Sequence, residues 1–313
     1  MTTPRAESRP LWRRIARILL WLILAIALLL AGVIVYNWDF VQRVFLGGVK
    51  VYEMTPPVLP SNIKRPAILV FSKTNGFRHE EAIPAANRLL NQMAKENGWG
   101  FYQTENGATF DGATLARFDA VVFNNVSGDV FMPEQKAAFK AFVEGGGGYI
   151  GIHAAGDNSH SWDWFVQNLI GAKFIGHPMN PQFQKATVDI EDHGHPATAD
   201  LPKRWNRVDE WYSFASSPRA RGFHVLATLD ETSYSPKGLF GSDLAMGKDH
   251  PVLWWNCAGQ GRLLYSAMGH TAESFAEPLY RRMLLGSLKW TLRLEGTGCG
   301  TAARLTPPAG EKP

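Results

Sequence analysis

The residues best placed to do chemistry sit in Gly145-Gly146-Gly147-Gly148-Tyr149-Ile150-Gly151-Ile152-His153-Ala154-Ala155-Gly156. Four glycines stop a helix, because glycine alone reaches left-handed dihedrals without steric cost. Tyr149 to Ile152 is a short apolar run of the kind buried on both faces of a parallel sheet. His153 follows on a tight strand-to-helix turn between small residues. That pattern predicts an elbow, which holds one side chain out at the carboxyl edge of a sheet. Here the side chain is an imidazole, a metal ligand or an acid–base group at neutral pH.

Other candidates gather at the same predicted edge. Arg78 and His79 follow the first strand, Asn124 and Asn125 the third, and Gly269-His270 a later one. His177, His193, His195 and His250 lie in Gly- and Pro-rich loops or at a strand start. Metal ligands would therefore come from separate loops, chiefly His79, His177 and His270, since no HExxH pair occurs. Asp209 and Glu210 are adjacent on a predicted strand and face opposite ways. Glu210, sharing a face with Tyr212, is the better base. Asn124, Trp211, Tyr212 and His250 are candidate substrate contacts. Trp162, Trp164 and Trp211 could each stack on a sugar ring, with core packing as the competing role.

Several chemistries are disfavoured. The glycine run lacks the lysine of a phosphate-binding loop, so no nucleotide cofactor is expected, and no GxSxG serine is present. The net charge is only +4, partly from the N-terminus, which argues against nucleic acid.

The elements that must position these residues read as alternating strands and helices. Strands are expected at Ala67–Ser72, Phe101–Thr104, Asp119–Asn124 and Tyr149–Ile152. Helices are expected at Glu80–Asn97, Pro133–Val143 and Trp162–Ile170, with Asp111 capping a short turn. This predicts a doubly wound, mostly parallel α/β sheet. Strand-like segments Gln184–Ile190, Val208–Phe214, Phe223–Leu229, Val252–Asn256 and Arg262–Ser266 predict an antiparallel extension. A helix over Pro278–Arg293 closes the domain.

Residues 18–36 carry no charge and are long enough to cross a hydrocarbon core of ~30 Å. Arg5, Arg9, Arg13, Arg14 and Arg17 precede them, which predicts an uncleaved signal anchor with a cytoplasmic N-terminus and the domain outside. The organisation is then a basic N-terminus (1–17), a transmembrane anchor (18–36), a linker (37–66), one domain (67–295) and a disordered tail (296–313). The two cysteines, Cys257 and Cys299, form no disulfide framework, and their pairing stays open.

An ordered set of motifs resembles the ThuA-like, trehalose-utilisation family of the class I glutamine amidotransferase-like superfamily. The set runs Gly76-Phe77-Arg78-His79-Glu80, Gly147 to His153, Gly176-His177-Pro178, His195-Pro196-Ala197-Thr198 and Asp209-Glu210-Trp211-Tyr212. His250-Pro251-Val252-Leu253-Trp254 and Gly259 to Tyr265, then Gly269-His270, complete it. The resemblance implies a flavodoxin-like sheet and a carbohydrate setting, often beside sugar oxidoreductases that make 3-keto-glycosides. It does not imply glutaminase activity, because that chemistry needs a cysteine where this chain has His153.

The resulting expectation is an anchored carbohydrate-active lyase or hydrolase. His153 or Glu210 is its base, and its electrophile is one divalent metal (zinc, manganese or iron) on His79, His177 and His270, or else Arg78. The alternatives are a non-catalytic carbohydrate-binding module serving a partner enzyme, and a hydrolase working through Asp or Glu.

Overall fold

Ala67–Phe71 is apolar throughout, and every one of its residues is buried, as a central parallel strand requires. In the computed structural model, which describes residues 11–157 and 159–300, it forms β1. The helices before it are α1 (Leu11–Tyr36) and α2 (Trp38–Phe45). Then come α3 (Ala82–Asn97), β2 (Gly100–Thr104), α4 (Gly112–Leu115), β3 (Ala120–Asn124), α5 (Pro133–Glu144) and β4 (Gly148–Ile152). Asp111 caps α4 as expected, its side chain accepting the Thr114 N–H.

The second half carries α6 (Asp163–Phe165), β5 (Phe174–Gly176), β6 (Phe183–Ile190), β7 (Arg204–Glu210), β8 (Ser213–Phe214) and β9 (His224–Asp230). It ends with β10 (Pro251–Ala258), β11 (Gly261–Ser266), α7 (Ala272–Ala276) and α8 (Pro278–Thr291). Nine strands make one sheet in the order β2-β1-β3-β4-β11-β10-β9-β6-β7. The first five are parallel, and every pairing from β11 to β7 is antiparallel. The expected parallel core with an antiparallel extension is what forms.

Phe71, Phe110, Phe123, Phe131 and Phe139 pack ring on ring under the parallel half, with centroids 4.5–6.3 Å apart. Each such buried ring contributes on the order of 2–3 kcal/mol.

Some local expectations are corrected. The Val208–Phe214 strand breaks after Glu210, because Trp211 and Tyr212 both turn into the core; β8 then pairs with β5 instead. The helix over Trp162–Ile170 begins as α6 and widens into a π-turn at Val166–Ile170 that ends on Gly171. Cys257 and Cys299 are joined by a disulfide. The start of the tail is therefore tied down rather than disordered. The Arg262 guanidinium donates to the carbonyls of Trp290, Glu295, Gly296 and Gly298. Residues 301–313 lie outside the described residues, as do Arg5 and Arg9.

The segment 37–66 is strapped to the domain. Val49 N–H donates to the Asn75 carbonyl at 2.7 Å, and Lys73 pairs with Glu53. Glu53 also accepts the Gly107 N–H, and its own carbonyl accepts from Gln135. The side chains of α1 are exposed along its whole length, so its apolar surface is not covered by any other element among the described residues.

Candidate metal and acid–base centre

His153 begins the turn after β4, and its φ is +49°. This left-handed backbone is uncommon for a residue with a Cβ and costs roughly 1 kcal/mol. The neighbourhood holds it there: Tyr265 Oη donates to the His153 carbonyl at 2.7 Å, and a Cβ on Gly156 would lie 2.5 Å from the Tyr265 ring. The expected elbow is present, with its side chain wholly buried rather than open to solvent.

His153 Nδ1 lies 2.8 Å from the Ala267 carbonyl, which can only accept. The proton is thus assigned to Nδ1, and Nε2 presents a lone pair. That lone pair lies 2.9 Å from His270 Nδ1 and 3.3 Å from Glu210 Oε2; His270 Nδ1 and Glu210 Oε2 are 3.1 Å apart. His79 completes the group, its ring edge-on to His153 and His270 at centroid separations of 5.0 and 4.4 Å. One donor atom from each of His79, His153, Glu210 and His270 falls within 4.8 Å of the others.

Four chain segments deliver these side chains. His79 comes from the loop after β1, His153 from the end of β4, His270 from the loop after β11 and Glu210 from the end of β7. β7 is outermost in the sheet order, so the antiparallel extension curls back over the strand ends to bring Glu210 in. A second carboxylate braces the assembly: Asp209 accepts the N–H groups of Gly269 at 2.8 Å and His270 at 3.1 Å, and pairs with Arg207 at 3.1 Å. Gly269, at φ +113°, leaves no room for a Cβ, which would come within 2.5 Å of Tyr280 Oη.

The donor set fits a divalent metal. Three nitrogens and a carboxylate oxygen suit zinc or iron. The separations among His153, His270 and Glu210, 2.9–3.3 Å, approach the ~3.3 Å that bonds of ~2.0–2.1 Å impose at tetrahedral angles, while the set including His79 spans up to 4.8 Å. His79 Nδ1 is buried without a hydrogen-bond partner, an arrangement that is costly unless something else meets the nitrogen. Burial pushes the His79 imidazole well below its ordinary range, and the neighbouring His153 and His270 push it the same way. A neutral ring is the form that ligates. Burial alone would raise the Glu210 carboxyl, but hydrogen bonds and charge from His153 and His270 hold it well below the carboxylate range.

The centre lines a cavity of about 460 Å³. Tyr212, its ring tilted against His153 at a centroid separation of 4.1 Å, forms part of its wall, as does His177, whose Nδ1 is 3.2 Å from Glu210 Oε1. Asp157, Gln182 and Phe174 also face it and were missed in the sequence. Asp157 ends the turn opened by His153, and that position was the available signal. Burial raises the Asp157 carboxyl above its ordinary value. Gln182 donates to Glu210, in a loop whose sequence carries no comparable mark.

The remaining candidates lie elsewhere. Arg78 is held by Glu105 and Glu80, and it lines a second, shallower pocket on which His79 and His270 also border. Asn124 is fully buried and donates to the Ile83 carbonyl and Asn87. Trp211 is fully buried, its indole donating to the Gln184 carbonyl. His250 is buried between Glu231 and the Tyr212 carbonyl, so it supports the cavity wall from behind. Trp162 and Trp164 meet at a tilt, centroids 5.0 Å apart, and pack half-buried against the hydrophobic core.

Fold and centre together define an open α/β domain with a histidine–carboxylate site beyond the carboxyl ends of its parallel strands. Its sequence is matched over residues 67–291 by the profile of the ThuA family, described as trehalose utilisation. The chain belongs to that family. A ThuA-like protein from Bacteroides uniformis has a similar structure, with TM-score 0.63 and 23% identity over 76% of this chain and 95% of that one. A ThuA-like protein from Parabacteroides merdae follows, with TM-score 0.56 and 18% identity over 75% and 92% of the two chains. At these identities the likeness concerns the fold. No curated protein matches the chain at a significant level.

Proposed function

We propose that this protein is an anchored, extracytoplasmic carbohydrate-active enzyme that cleaves 3-keto-glycosides with the help of one divalent metal. The observation that carries the reading is the convergence of one donor atom each from His79, His153, Glu210 and His270 within 4.8 Å, beside a cavity that His79, Glu210 and His270 line. Family membership supports the carbohydrate setting. The apolar 26-residue α1 and the Cys257–Cys299 disulfide support an oxidising compartment beyond a membrane. Arg13, Arg14 and Arg17 at the start of α1 favour a cytoplasmic N-terminus.

His79, His153, His270 and Glu210 would hold the metal, which would supply Lewis acidity toward a ketone oxygen. The roles first considered for His153 and His177 therefore change places. His153 is buried and tautomerically fixed, which suits a ligand. His177 sits in the cavity wall, and Glu210 orients its ring, which suits a base.

A 3-keto group acidifies the proton on C2. His177 takes that proton, and the released electron pair forms the C1=C2 double bond conjugated with the ketone. The C1–O bond breaks, and the departing oxygen takes a proton from Asp157, whose raised carboxyl suits it as the acid. The products are a 2-hydroxy-3-keto-glycal and an alcohol. The substrate must come from a reaction that oxidises a sugar hydroxyl at C3, so a sugar oxidoreductase is the implied partner.

The test is full-length protein in phosphatidylcholine nanodiscs, loaded in turn with zinc, manganese or iron and incubated with a panel of 3-keto-glycosides. Aglycone release is expected, lowered ~10²–10⁴-fold by His177→Ala. Failure of every loaded form to release any aglycone would overturn the reading. Intact sugar recovered bound would then favour a binding module.

A further inference from the structure

We propose that the natural substrate is an amphiphile resident in the membrane, a glycoside whose sugar enters the cavity while its apolar chain stays in the bilayer. The proposal rests on the carbohydrate reading of the site and adds its substrate class.

The cavity wall is not made by the domain alone. Phe40, Arg43 and Val44 of α2 line it together with His79, Glu210 and His270. One residue, Asn37, separates α2 from the apolar α1, and its N–H and side-chain amide both donate to the Val33 carbonyl, while its own carbonyl accepts the Val41 N–H. The two helices are therefore joined by a hydrogen-bonded turn. Val44 lies eight residues beyond Tyr36, at most ~12 Å along a helix. The headgroup layer is ~5–8 Å thick on each side of the hydrocarbon. A cavity wall carried by α2 thus stands at the membrane surface.

α2 is also fixed to the domain. The Arg43 guanidinium donates to the Thr74 carbonyl at 2.7 Å, and Val49 bonds to Asn75. The cavity opening is held toward the bilayer rather than swinging on a linker.

The rim has the matching chemistry. Phe40, Val44, Phe77 and Met179 line the cavity and are each 40–50% exposed, which makes an apolar border open to solvent. Arg43 is neutralised by Asp39 at 2.6 Å, while Glu210 and Asp157 face the interior. Arg43 is the single Lys or Arg among the lining residues, so the wall offers a phosphate headgroup no unpaired basic side chain and suits a neutral sugar. A soluble disaccharide would leave the apolar border wet, whereas an acyl or alkyl chain crossing it would remain continuous with the membrane.

The experiment uses the full chain in phosphatidylcholine nanodiscs with one of two photoreactive probes. One is a glycosyldiacylglycerol bearing a diazirine on its acyl chain, and the other is phosphatidylcholine with the same chain. The sugar-headed lipid is expected to label the Trp38–Gly47 peptide at least tenfold more than the choline lipid does. The Phe40→Ser/Val44→Ser double variant, whose side chains are already half-exposed, should lose that excess while keeping its melting temperature. Equal labelling by the two lipids would overturn the proposal, leaving α2 as a mere surface helix. So would cross-links between two copies of the chain through α2. Labelling needs no turnover, so sugar-selective labelling without aglycone release would sink the proposed reaction and leave the substrate class standing.

Discussion

Asp209 accepts the backbone N–H of His270 at 3.1 Å while its neighbour Glu210 meets the ring of the same residue at 3.1 Å. Two adjacent residues pointing opposite ways along β7 thus hold one histidine by its backbone and by its side chain. Asp209 also accepts the Gly269 N–H and the Ser274 hydroxyl, and neutralises the buried Arg207. It touches none of the ring nitrogens in the centre, so its role is to place the loop.

Asp209→Asn keeps the shape and replaces one acceptor oxygen by a donor. It should weaken zinc binding by roughly 10–100-fold, the usual consequence of losing an outer support. It should also destabilise the fold by roughly 1–3 kcal/mol, because Arg207 loses its buried partner and keeps only the partly exposed Glu277. Competitive zinc titration and denaturant unfolding check both, and unchanged zinc affinity would remove Asp209 from the support of the centre.

His153 makes a second prediction whose sign depends on backbone strain. His153→Ala removes the imidazole but keeps a Cβ at φ +49°, whereas His153→Gly removes both. Each variant should lose stoichiometric metal in elemental analysis. In the apo state the glycine variant should nonetheless be the more stable of the two by roughly 1 kcal/mol. An alanine variant at least as stable as the glycine one would show that the turn carries no strain.

Much of this arrangement was legible in the sequence, for physical reasons. Short apolar runs located β1, β3 and β4, and the small residues around His153 marked a turn at the carboxyl edge. The predicted edge then brought His79, His153 and His270 together. The break after Glu210 was not legible, because Trp211 and Tyr212 continue the strand-like texture while their side chains pack in the core. Nor was the pairing of Arg78 with Glu105, 27 residues further along the chain. Long-range partners of this kind leave no local trace. Likewise the linker composition of residues 37–66 concealed its docking, which depends on Asn75 and Lys73 in the following domain.

A third prediction concerns acid stability away from the centre. His195 packs against Trp290 at 4.7 Å, and its Nδ1 accepts the Ala197 N–H. Burial lowers this imidazole from 6.5 to about 4. Between those values the unfolded chain binds a proton that the folded chain refuses, so stability falls as the pH is lowered through this window and is complete above it. The full loss is on the order of 3 kcal/mol. His195→Asn, which keeps an acceptor near the Nδ1 position, should flatten the dependence of unfolding free energy on pH between 6.5 and 4. An equally steep dependence in the variant would assign it to other groups.

The last prediction separates the disulfide from the chemistry. Cys257 and Cys299 enclose 42 residues of sequence separation, and closing such a loop stabilises a domain by about 3–4 kcal/mol in the chain-entropy account. The bond fastens Gly296–Gly300 over the end of β10, where Arg262 already gathers four carbonyls. None of these residues lines the cavity or donates to the histidine–carboxylate group. Cys257→Ser/Cys299→Ser should therefore lower the melting temperature by several degrees and speed proteolysis of the C-terminal segment. Metal stoichiometry at 25 °C should remain that of the parent. Loss of metal in the folded double variant would mean that the tail and the centre are coupled through β10 and β11, the strands that carry Ala267 and His270 toward His153.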